Sequence, residues 1–469
     1  MTLTPTIGPN TRRAGAFALV GTFSVAVPVL GRSTIVFFAA VAVLSLFVID
    51  DGAAFELFAR AADREDRTLY SLAAFSLAIA GLAILTTLFG MPVSVFVASV
   101  LVLCYGNLTE RLVEGQDRSE VVPAAVFVCG GLVAGTVGQL AVLAINGGTG
   151  VTPTGATGGT GTTAATTVAF EALPLVVFLA ATGALLAALL RTALFARDDP
   201  LVMFTVGLLL WLFAELSVSA SVGDVAVALS LTAALGALSY GLGTASIAGM
   251  LTGMMLVLST TVLGGYDWFA VLVTFFGVGS LAAKYRIDEK RERGIAEVNE
   301  GARGTGNVLA NAAVALGAVL GFAASSLLPV APATFLFAFG GSLAGAMADT
   351  LSSELGGLFD GPRLVTTFER VPPGTDGGVT WQGELAGVCG ALAVAGVTGV
   401  LFEAIGPLGA GVIAVAGVGG MTVDSLLGAT IEPRVGNQGV NFLATLAAAL
   451  LAAGLALAIG LVGIGGLAG

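Results

Sequence analysis

The chain has 469 residues, of which 56% are hydrophobic and 10% charged, and its mean hydropathy is +0.98. A charged fraction so far below the roughly 25% typical of soluble domains excludes a soluble globular protein. The net charge of −11 and the lack of a basic face with interleaved aromatic residues exclude a nucleic-acid-binding protein. We expect this acidity in solvent-facing loops, as a halophilic-like composition suited to a high-salt cytoplasm.

Apolar runs long enough to cross a hydrocarbon core of about 30 Å recur from Ala14 onwards. They predict an all-α, polytopic transmembrane helical bundle of about fifteen spans. The predicted spans are 14–30, 34–49, 68–89, 92–106, 120–144, 169–194, 200–218, 225–240, 241–264, 267–283, 306–324, 328–347, 386–405, 408–428 and 440–464. The first run leads directly into the second without a small-residue cleavage site, so we expect an ordinary first helix rather than a signal peptide.

Several kinds of chemistry are excluded by composition. The chain has no histidine, which excludes Ser-His-Asp catalysis and most zinc sites. Cys104, Cys129 and Cys389 are scattered within apolar runs and form no disulfide or metal-binding pattern. Carboxylate, lysine and arginine chemistry remains.

The positions of the basic residues orient the chain, because cytoplasmic loops carry the positive excess. Basic residues at 12–13, 60–67, 111–118, 191–197, 284–303, 363–370 and 434 all fall on one side of the predicted bundle. This predicts a multi-pass cell-membrane protein with its N-terminus in the cytoplasm and its C-terminus outside. An uncharged Gly/Thr-rich linker at 146–168 separates an N-terminal membrane half (1–145) from connecting spans (169–224) and a C-terminal membrane domain (225–469).

Three polar loops of the C-terminal half, at 284–305, 348–385 and 429–439, emerge on the same cytoplasmic side. The first contains the chain's only lysines, Lys284 and Lys290, and a flexible ammonium suits a phosphate that is bound and released. Ion pairs with the acidic residues of that loop are the alternative. Lys284, beside the membrane boundary, is predicted to be the functional lysine and Lys290 a solvated neighbour.

The second loop begins with carboxylates at the end of a span. Asp349, Ser352 and Ser353 share a helix face with Gly356, which predicts a Mg²⁺ ligand with room for nucleotide phosphates beside it. Glu354 does not share that face. A helix-capping aspartate is the alternative interpretation.

Further polar residues follow on either side of this segment. Asp376 lies in the glycine-rich stretch 371–380, which is typical either of an anion-binding nest or of a simple turn. Asp424 is a lone carboxylate within an apolar span and therefore a functional candidate. Asn307 and Asn311 share a helix face in line with Arg303, which favours phosphate or nucleobase binding as much as hydrogen bonding between helices.

Four ordered segments together resemble the integral membrane family known as domain of unknown function ninety-two. They are Lys284 to Lys290, Glu300-Gly-x-Arg-x-x-x-Asn-Val-x-Ala-Asn311, Ala348-Asp-Thr-x-x-Ser-Glu-x-Gly356 with Val371-x-x-Gly-Thr-Asp-Gly-Gly378, and Asp424-Ser-x-x-Gly-Ala429. The similarity covers roughly residues 225 to 464. The family includes the human transmembrane protein nineteen group and the plant phytyl-phosphate kinase of vitamin E salvage.

The resemblance implies a prenyl-phosphate kinase that uses Mg²⁺ and transfers a phosphoryl group from a nucleoside triphosphate to a prenyl phosphate. The expected nucleoside triphosphate is CTP. The implied catalytic residues are Lys284, Lys290, Arg303 and Asp376, and the implied metal ligands are Asp349, Glu354 and Asp424. The implied nucleotide- or substrate-binding residues are Glu300, Asn307, Asn311, Ser352, Ser353, Gly374, Gly377, Gly378 and Asn441. A CTP-dependent lipid cytidylyltransferase and a secondary transporter are the alternatives, the latter favoured by many spans and abundant glycine.

The N-terminal half is more faintly similar to phytol and dolichol kinases. Their Gly-Asp-x-x-Ala-x-x-x-x-Gly motif corresponds here to Gly106-Asn-Leu-Thr-Glu-Arg-Leu-Val-Glu-Gly115, so Asn107 stands in place of the carboxylate. The same spacing separates Asp349 from Gly357, which indicates that the two halves are related. Because an amide brings no negative charge to Mg²⁺, we expect the N-terminal half to be a catalytically silent partner or a scaffold for the lipid substrate.

Overall fold

The computed structural model of the chain describes residues 8–114, 121–146, 162–193, 199–216, 218–296 and 304–463. Most of these residues are helical. The helices are α1 Pro9–Thr22, α2 Val27–Leu30, α3 Ser33–Phe47, α4 Gly52–Phe58, α5 Ala61–Asp66, α6 Tyr70–Leu88, α7 Val93–Val113, α8 Val121–Ile145, α9 Thr162–Ala193, α10 Asp199–Ala214, α11 Val222–Gly241, α12 Ile247–Gly264, α13 Tyr266–Lys284, α14 Ile287–Glu292, α15 Thr305–Ala323, α16 Pro332–Gly356, α17 Trp381–Leu401, α18 Gly406–Gly428 and α19 Glu432–Ala458. Two short strands, β1 (Arg363–Leu364) and β2 (Gly378–Val379), pair antiparallel.

The predicted all-α membrane bundle is confirmed. In the described part of the chain, thirteen helices are long and apolar enough to cross a membrane, and α3 with α4 makes a fourteenth if the pair, bent by 103°, counts as one span. The predicted span at 200–218 corresponds to α10, which has 16 residues, a length of about 24 Å, and is shorter than a full crossing.

The chain forms two compact units. The N-terminal unit comprises residues 1–216 with 221–225, and the C-terminal unit comprises 217–220 with 226–469. In the N-terminal unit, α7 packs against α1, α8 and α10. The predicted Gly/Thr-rich linker falls largely outside the described residues.

In the C-terminal unit, α16 is the central helix and packs against α13, α15, α17, α18 and α19. Small residues permit this. A methyl group added at Gly341 would lie 2.8 Å from the carbonyl oxygen of Ala448, so α16 and α19 meet backbone to backbone. Such close approach is what stabilises helix packing where no water is excluded between helices. Trp268 in the first turn of α13 packs on Phe339 of α16, with ring centroids 4.5 Å apart.

Two of the loops predicted for the C-terminal half contain helix. The lysine loop includes α14, whose six residues lie between Lys284 and Gly294. The segment expected as a loop at 429–439 is mostly the beginning of α19, which starts at Glu432 and is broken at Gly436 (φ 70°, ψ 162°). Pro433 lies in the first turn of α19, where its missing N–H is tolerated.

Candidate functional site

A cavity of about 340 Å³ lies in the C-terminal unit, near the ends of α16 and α18 and the beginnings of α15, α17 and α19. The segment 357–380 between α16 and α17 encloses it on one side. The predicted site residues that line it are Asn307, Asn311, Asp349, Ser352, Ser353, Glu354, Gly374, Asp376, Gly377, Gly378, Asp424 and Asn441. Motifs separated by more than a hundred residues of sequence therefore meet at one place.

Helical spacing explains how α16 and α15 contribute. Asp349, Ser352 and Ser353 lie three and four residues apart, so successive turns of α16 present them to the same cavity. On α15, the amide nitrogen of Asn311 donates to the carbonyl of Asn307 at 2.9 Å. This bond fixes the orientation of an amide at the cavity wall.

The glycine-rich stretch is tied to the helices on both sides of it. The backbone N–H of Val365 donates to the carbonyl of Gly377 at 3.0 Å, which closes the segment onto itself beside the β1–β2 pair. The Thr380 hydroxyl donates to the carbonyl of Gly356 and accepts from the N–H of Gly383, both at 3.2 Å. It therefore caps the N-terminus of α17 and joins it to the C-terminus of α16.

Gly377 is required by both conformation and space. Its φ is +72°, a value that side chains rarely adopt, and a methyl group there would lie 2.6 Å from the carbonyl oxygen of Ser425. The glycine-rich segment thus rests directly on the end of α18, and this contact fixes the position of the neighbouring Asp376.

The site contains a pair of neighbouring carboxyl groups. Asp424 on α18 lies within hydrogen-bonding reach of Asp349 on α16. Among the described residues, the Oδ1 atom of Asp424 is buried and has no hydrogen-bond partner. Two ionised carboxylates in contact repel each other unless a cation lies between them, and an orphaned buried oxygen indicates a missing partner. Both observations fit a cation at this pair.

The charge of the whole cavity has one sign. Five carboxylates line it, those of Asp349, Glu354, Asp376, Asp424 and Glu432, and its described lining residues include no lysine or arginine. No three His, Cys, Asp or Glu side chains in the described part of the chain are arranged to hold a metal ion by themselves. Phosphate groups can enter such a cavity only together with cations that the ligand brings.

The structure buries Lys290, which was predicted to be solvated, and exposes Lys284. Lys290 is 2% exposed, and its ammonium donates to Glu354 at 2.6 Å and to the carbonyl of Ala282 at 2.8 Å. The expectation that Lys290 is a solvated neighbour is wrong, because α14 turns its side chain under the helix ends. Lys284 is exposed and donates to the carbonyl of Leu242. Neither lysine lines the cavity.

Of the remaining predicted site residues, one lines the cavity and two lie outside the described residues. Glu354 lines the cavity although its helical position is off the face of Asp349, and its pairing with Lys290 satisfies one carboxylate oxygen. Glu300 and Arg303 lie outside the described residues, so the structure says nothing of their roles.

Three further polar residues outside the quoted motifs also line the cavity: Thr380, Glu432 and Asn437. Asn437 lies four residues before Asn441, so their shared helix face was a usable signal. Thr380 precedes an apolar run and carries a capping signature. Glu432 had no such signal, because its stretch reads as a loop until the start of α19 is known.

Comparison of the amino-acid sequence with known proteins assigns the chain to a family. A family model described as integral membrane protein DUF92 matches residues 230–449. An uncharacterised membrane protein of Methanocaldococcus jannaschii is 34% identical over 194 residues, which cover 40% of this chain and 75% of that protein. The chain belongs to the DUF92 family. The resemblance predicted from the four sequence segments is thereby confirmed.

Two plant proteins are also similar to this DUF92 protein. The chloroplast protein VTE6 of Arabidopsis thaliana is 32% identical over 182 residues, which cover 38% of the DUF92 chain and 53% of VTE6. Protein PGR of the same plant is 34% identical over 220 residues, covering 41% of the chain and 74% of PGR. No solved structure matches the DUF92 protein. The region matched by the family model contains every described residue that lines the cavity.

Proposed function

We propose that this DUF92 protein is a membrane-embedded kinase of prenyl phosphates, of the phytyl or geranylgeranyl type, with CTP as the preferred nucleoside triphosphate. The observation that carries the proposal is the cavity in which five carboxylates converge among the ends of apolar spans. The similarity to VTE6, and the resemblance of the family to the plant phytyl-phosphate kinase, support the choice of substrate class.

The electrostatics of the cavity support a reaction between phosphates that bring their own cations. Asp349 and Asp424 would hold Mg²⁺, which when bound neutralises phosphate charge, and Asp376 adds negative charge to the same cavity. With no cage of three protein carboxylates present in the described residues, such an ion keeps ligand positions for water and phosphate oxygens, as Mg²⁺ commonly does. The orphaned oxygen of Asp424 fits this use.

The other lining residues position the two substrates. The amides of Asn307, Asn311 and Asn441 offer donors and acceptors to the nucleotide or to the acceptor phosphate. The backbone of the segment from Gly374 to Gly378 lies at the cavity wall without side-chain bulk at its glycines, so phosphate oxygens can approach its N–H groups. Ser352 and Ser353 on α16 add hydroxyl groups.

In the proposed reaction, an oxygen of the prenyl monophosphate attacks the terminal phosphorus of the nucleoside triphosphate. The bond from that phosphorus to the bridging oxygen breaks, the nucleoside diphosphate leaves, and a prenyl diphosphate forms. The attacking oxygen is already anionic, so the transfer depends on positioning and charge neutralisation rather than on a general base. This agrees with a chain that has no histidine.

The location of the cavity suits a substrate with a long apolar tail. Its walls are the ends of helices whose other parts are apolar enough to lie in the bilayer. The prenyl chain would lie along these spans with its phosphate in the cavity. The distribution of lysine and arginine favours the cytoplasmic face for this end of the bundle.

The test is an assay of the purified full chain with phytyl or geranylgeranyl phosphate, Mg²⁺ and a panel of nucleoside triphosphates labelled at the terminal phosphate. We expect label in prenyl diphosphate, with CTP the best donor. Asp424→Asn and Asp349→Asn should each lower the rate by roughly 10²-fold or more, since preorganised charge of this kind supplies effects of that size. Glu403→Gln is the matched control, because Glu403 is exposed and does not line the cavity.

The two alternative functions, a cytidylyltransferase and a transporter, predict different labelled products. A cytidylyltransferase would place the α-phosphate of CTP on the lipid and release pyrophosphate, so α-labelled CTP would mark the lipid. A cation transporter would also use an acidic cavity, but it would transfer no label. The kinase proposal is wrong if the wild-type chain yields no labelled diphosphate with any nucleotide, or if both aspartate variants retain full activity.

A further inference from the structure

A second, smaller cavity of about 60 Å³ lies within the N-terminal unit, beside α1, the link between α4 and α5, α7 and the start of α10. Arg13, Arg60 and Arg111 line it, and Asp199 is the one acidic residue among its described lining residues. The charge is therefore opposite in sign to that of the larger cavity. Three guanidinium groups around a space of this size need a reason, because like charges repel.

The positive charge of Arg13 is not compensated by a neighbouring carboxylate in the described part of the chain. Its guanidinium donates to two neutral oxygens, the carbonyl of Ala59 at 3.4 Å and Oδ1 of Asn10 at 3.1 Å. Among the described residues no carboxylate forms an ion pair with it. Desolvated cationic side chains are ordinarily paired with an anion, and Arg13 is half-buried.

The neighbouring arginines are only partly neutralised. Arg60 contacts Asp199 at 3.4 Å, and Asp199 is shared with Arg191 at 3.3 Å, although Arg191 also pairs with Glu110 at 2.8 Å. Arg111 pairs with Glu114 at 2.7 Å, and Glu114 does not line the cavity. A positive excess therefore remains at the cavity itself.

Asn107 adds an independent sign of a missing ligand. It lines the same cavity, and its Oδ1 atom is buried without a hydrogen-bond partner among the described residues. The oxygen accepts from a protonated phosphate, and rotation of the amide by half a turn presents a donor there instead. In either orientation a polar ligand satisfies the group.

We propose that this cavity binds one phosphate-type anion directly through Arg13, Arg60 and Arg111, without a metal ion. Arginine suits this task, because its planar fork of N–H groups matches phosphate oxygens and is always charged. The volume admits a single phosphate group rather than a nucleotide. The anion is either the phosphomonoester end of a lipid or free inorganic phosphate. This site is separate from the proposed kinase chemistry and does not depend on it.

The test uses the purified full chain in the presence of EDTA, so that metal-dependent binding at the larger cavity is absent. In one arm, inorganic phosphate is titrated into protein in neutral detergent and binding is followed by calorimetry. In the other, the protein is placed in nanodiscs of phosphatidylcholine with or without phosphatidate, and thermal unfolding is compared. Saturable binding of inorganic phosphate identifies a soluble anion, and a rise in unfolding temperature with phosphatidate alone identifies a lipid headgroup.

Two adjacent arginines give a matched pair of variants. Arg13→Gln should weaken binding about tenfold or more, as loss of a charge-assisted contact does, and Arg12→Gln should leave it unchanged because Arg12 is exposed and does not line the cavity. Without ligand, Arg13→Gln should unfold at the same temperature as wild type or higher, since it relieves repulsion. If it unfolds earlier, Arg111→Gln, whose side chain is 35% exposed, replaces it.

Asp424→Asn separates this proposal from the kinase proposal, because it should lower phosphoryl transfer by roughly 10²-fold or more and retain anion binding in EDTA. The anion site is refuted by the absence of an effect in both arms, by equal affinities of Arg13→Gln and wild type, or by binding that EDTA removes.

Discussion

At the scale of single residues, the two lysines show how burial decides what a cation does. Lys290 is buried between the ends of α13 and α16, and its ammonium donates to one carboxylate and two carbonyl oxygens. Its charge is therefore neutralised within the protein. Lys284 is exposed, and among the described residues its one hydrogen-bond partner is the carbonyl of Leu242. Lys290 therefore acts on the cavity indirectly, by holding Glu354.

Replacing each lysine by methionine should separate these environments. Lys290→Met leaves Glu354 with an uncompensated, mostly buried charge and should lower the free energy of unfolding by about 3–5 kcal/mol. Lys284→Met should change it by no more than about 0.5 kcal/mol, as exposed positions usually do. Unfolding of the purified protein in mixed detergent measures both. The double variant Lys290→Met/Glu354→Gln should recover part of the loss, and equal destabilisation by the two single changes would contradict the assignment.

At the scale of elements, local spacing predicted some of the site and none of its long-range contacts. The face shared by Asp349, Ser352 and Ser353 follows from 3.6 residues per turn, so sequence alone was sufficient. The contact between Asp349 and Asp424 joins two residues that lie 75 positions apart in the sequence, and it depends on how α16 and α18 pack. Gly345 on α16 lies close to Gly420 on α18 and permits that packing, but nothing in the sequence indicates that these two glycines meet.

The membrane spans were predictable for a related reason. An apolar run must form its own backbone hydrogen bonds in a bilayer, so length and hydropathy nearly determine a helix. The polar ends obey no such rule. The start of α19 at Glu432 and the formation of α14 both depend on tertiary contacts, such as the bond of Lys290 to Glu354. This is why the lysine loop and the last polar loop were misread.

The segment between α16 and α17 should be sensitive at the glycine that touches α18. Gly377→Ala forces a side chain onto φ +72° and places its methyl group 2.5 Å from Cβ of Ala429 and 2.6 Å from the carbonyl oxygen of Ser425. Backbone atoms cannot give way, so we expect loss of more than about tenfold in phosphoryl transfer, through displacement of Asp376. The rate of prenyl diphosphate formation measures this.

Gly361 is the control for that change. It has the same φ of +72°, and a methyl group there meets no atom within 4 Å. Gly361→Ala should therefore cost only the conformational strain of about 1–2 kcal/mol and leave the rate per folded molecule unchanged. Equal rates for the two alanine variants would show that the contact with α18 does not position the site.

At the scale of the whole molecule, the net charge of −11 predicts a dependence on salt. Carboxylates crowded at the helix ends repel one another, and raising the salt from about 0.1 M to about 1 M shortens the screening length from about 10 Å to about 3 Å. The unfolding temperature in neutral detergent should rise over this range of potassium chloride. Sucrose of equal osmolarity is the control. A fall in unfolding temperature with potassium chloride would contradict the expectation of adaptation to high salt.

The division into two units predicts where activity resides. Every described residue of the larger cavity lies in the C-terminal unit, and the family match begins at residue 230. A chain that starts at residue 217 should therefore retain CTP-dependent phosphoryl transfer and lose phosphate binding in EDTA. Assays of both on the purified fragment test this. Retention of phosphate binding in EDTA by the fragment would instead assign that binding to the C-terminal unit.

The break in α19 at Gly436 has a mechanical consequence. Asn437 and Asn441 belong to the long apolar part of α19, which is buried against α16, whereas Glu432 lies in the short turn before the break. A single residue with φ 70° and ψ 162° links the two parts, so the regular helical hydrogen bonding is interrupted between them. Rotation about those two dihedral angles moves the Glu432 carboxylate while the buried span keeps its contacts. For the kinase proposed above, we therefore expect the acidic wall of the cavity to adjust to its phosphate substrates while the long part of α19 stays in place.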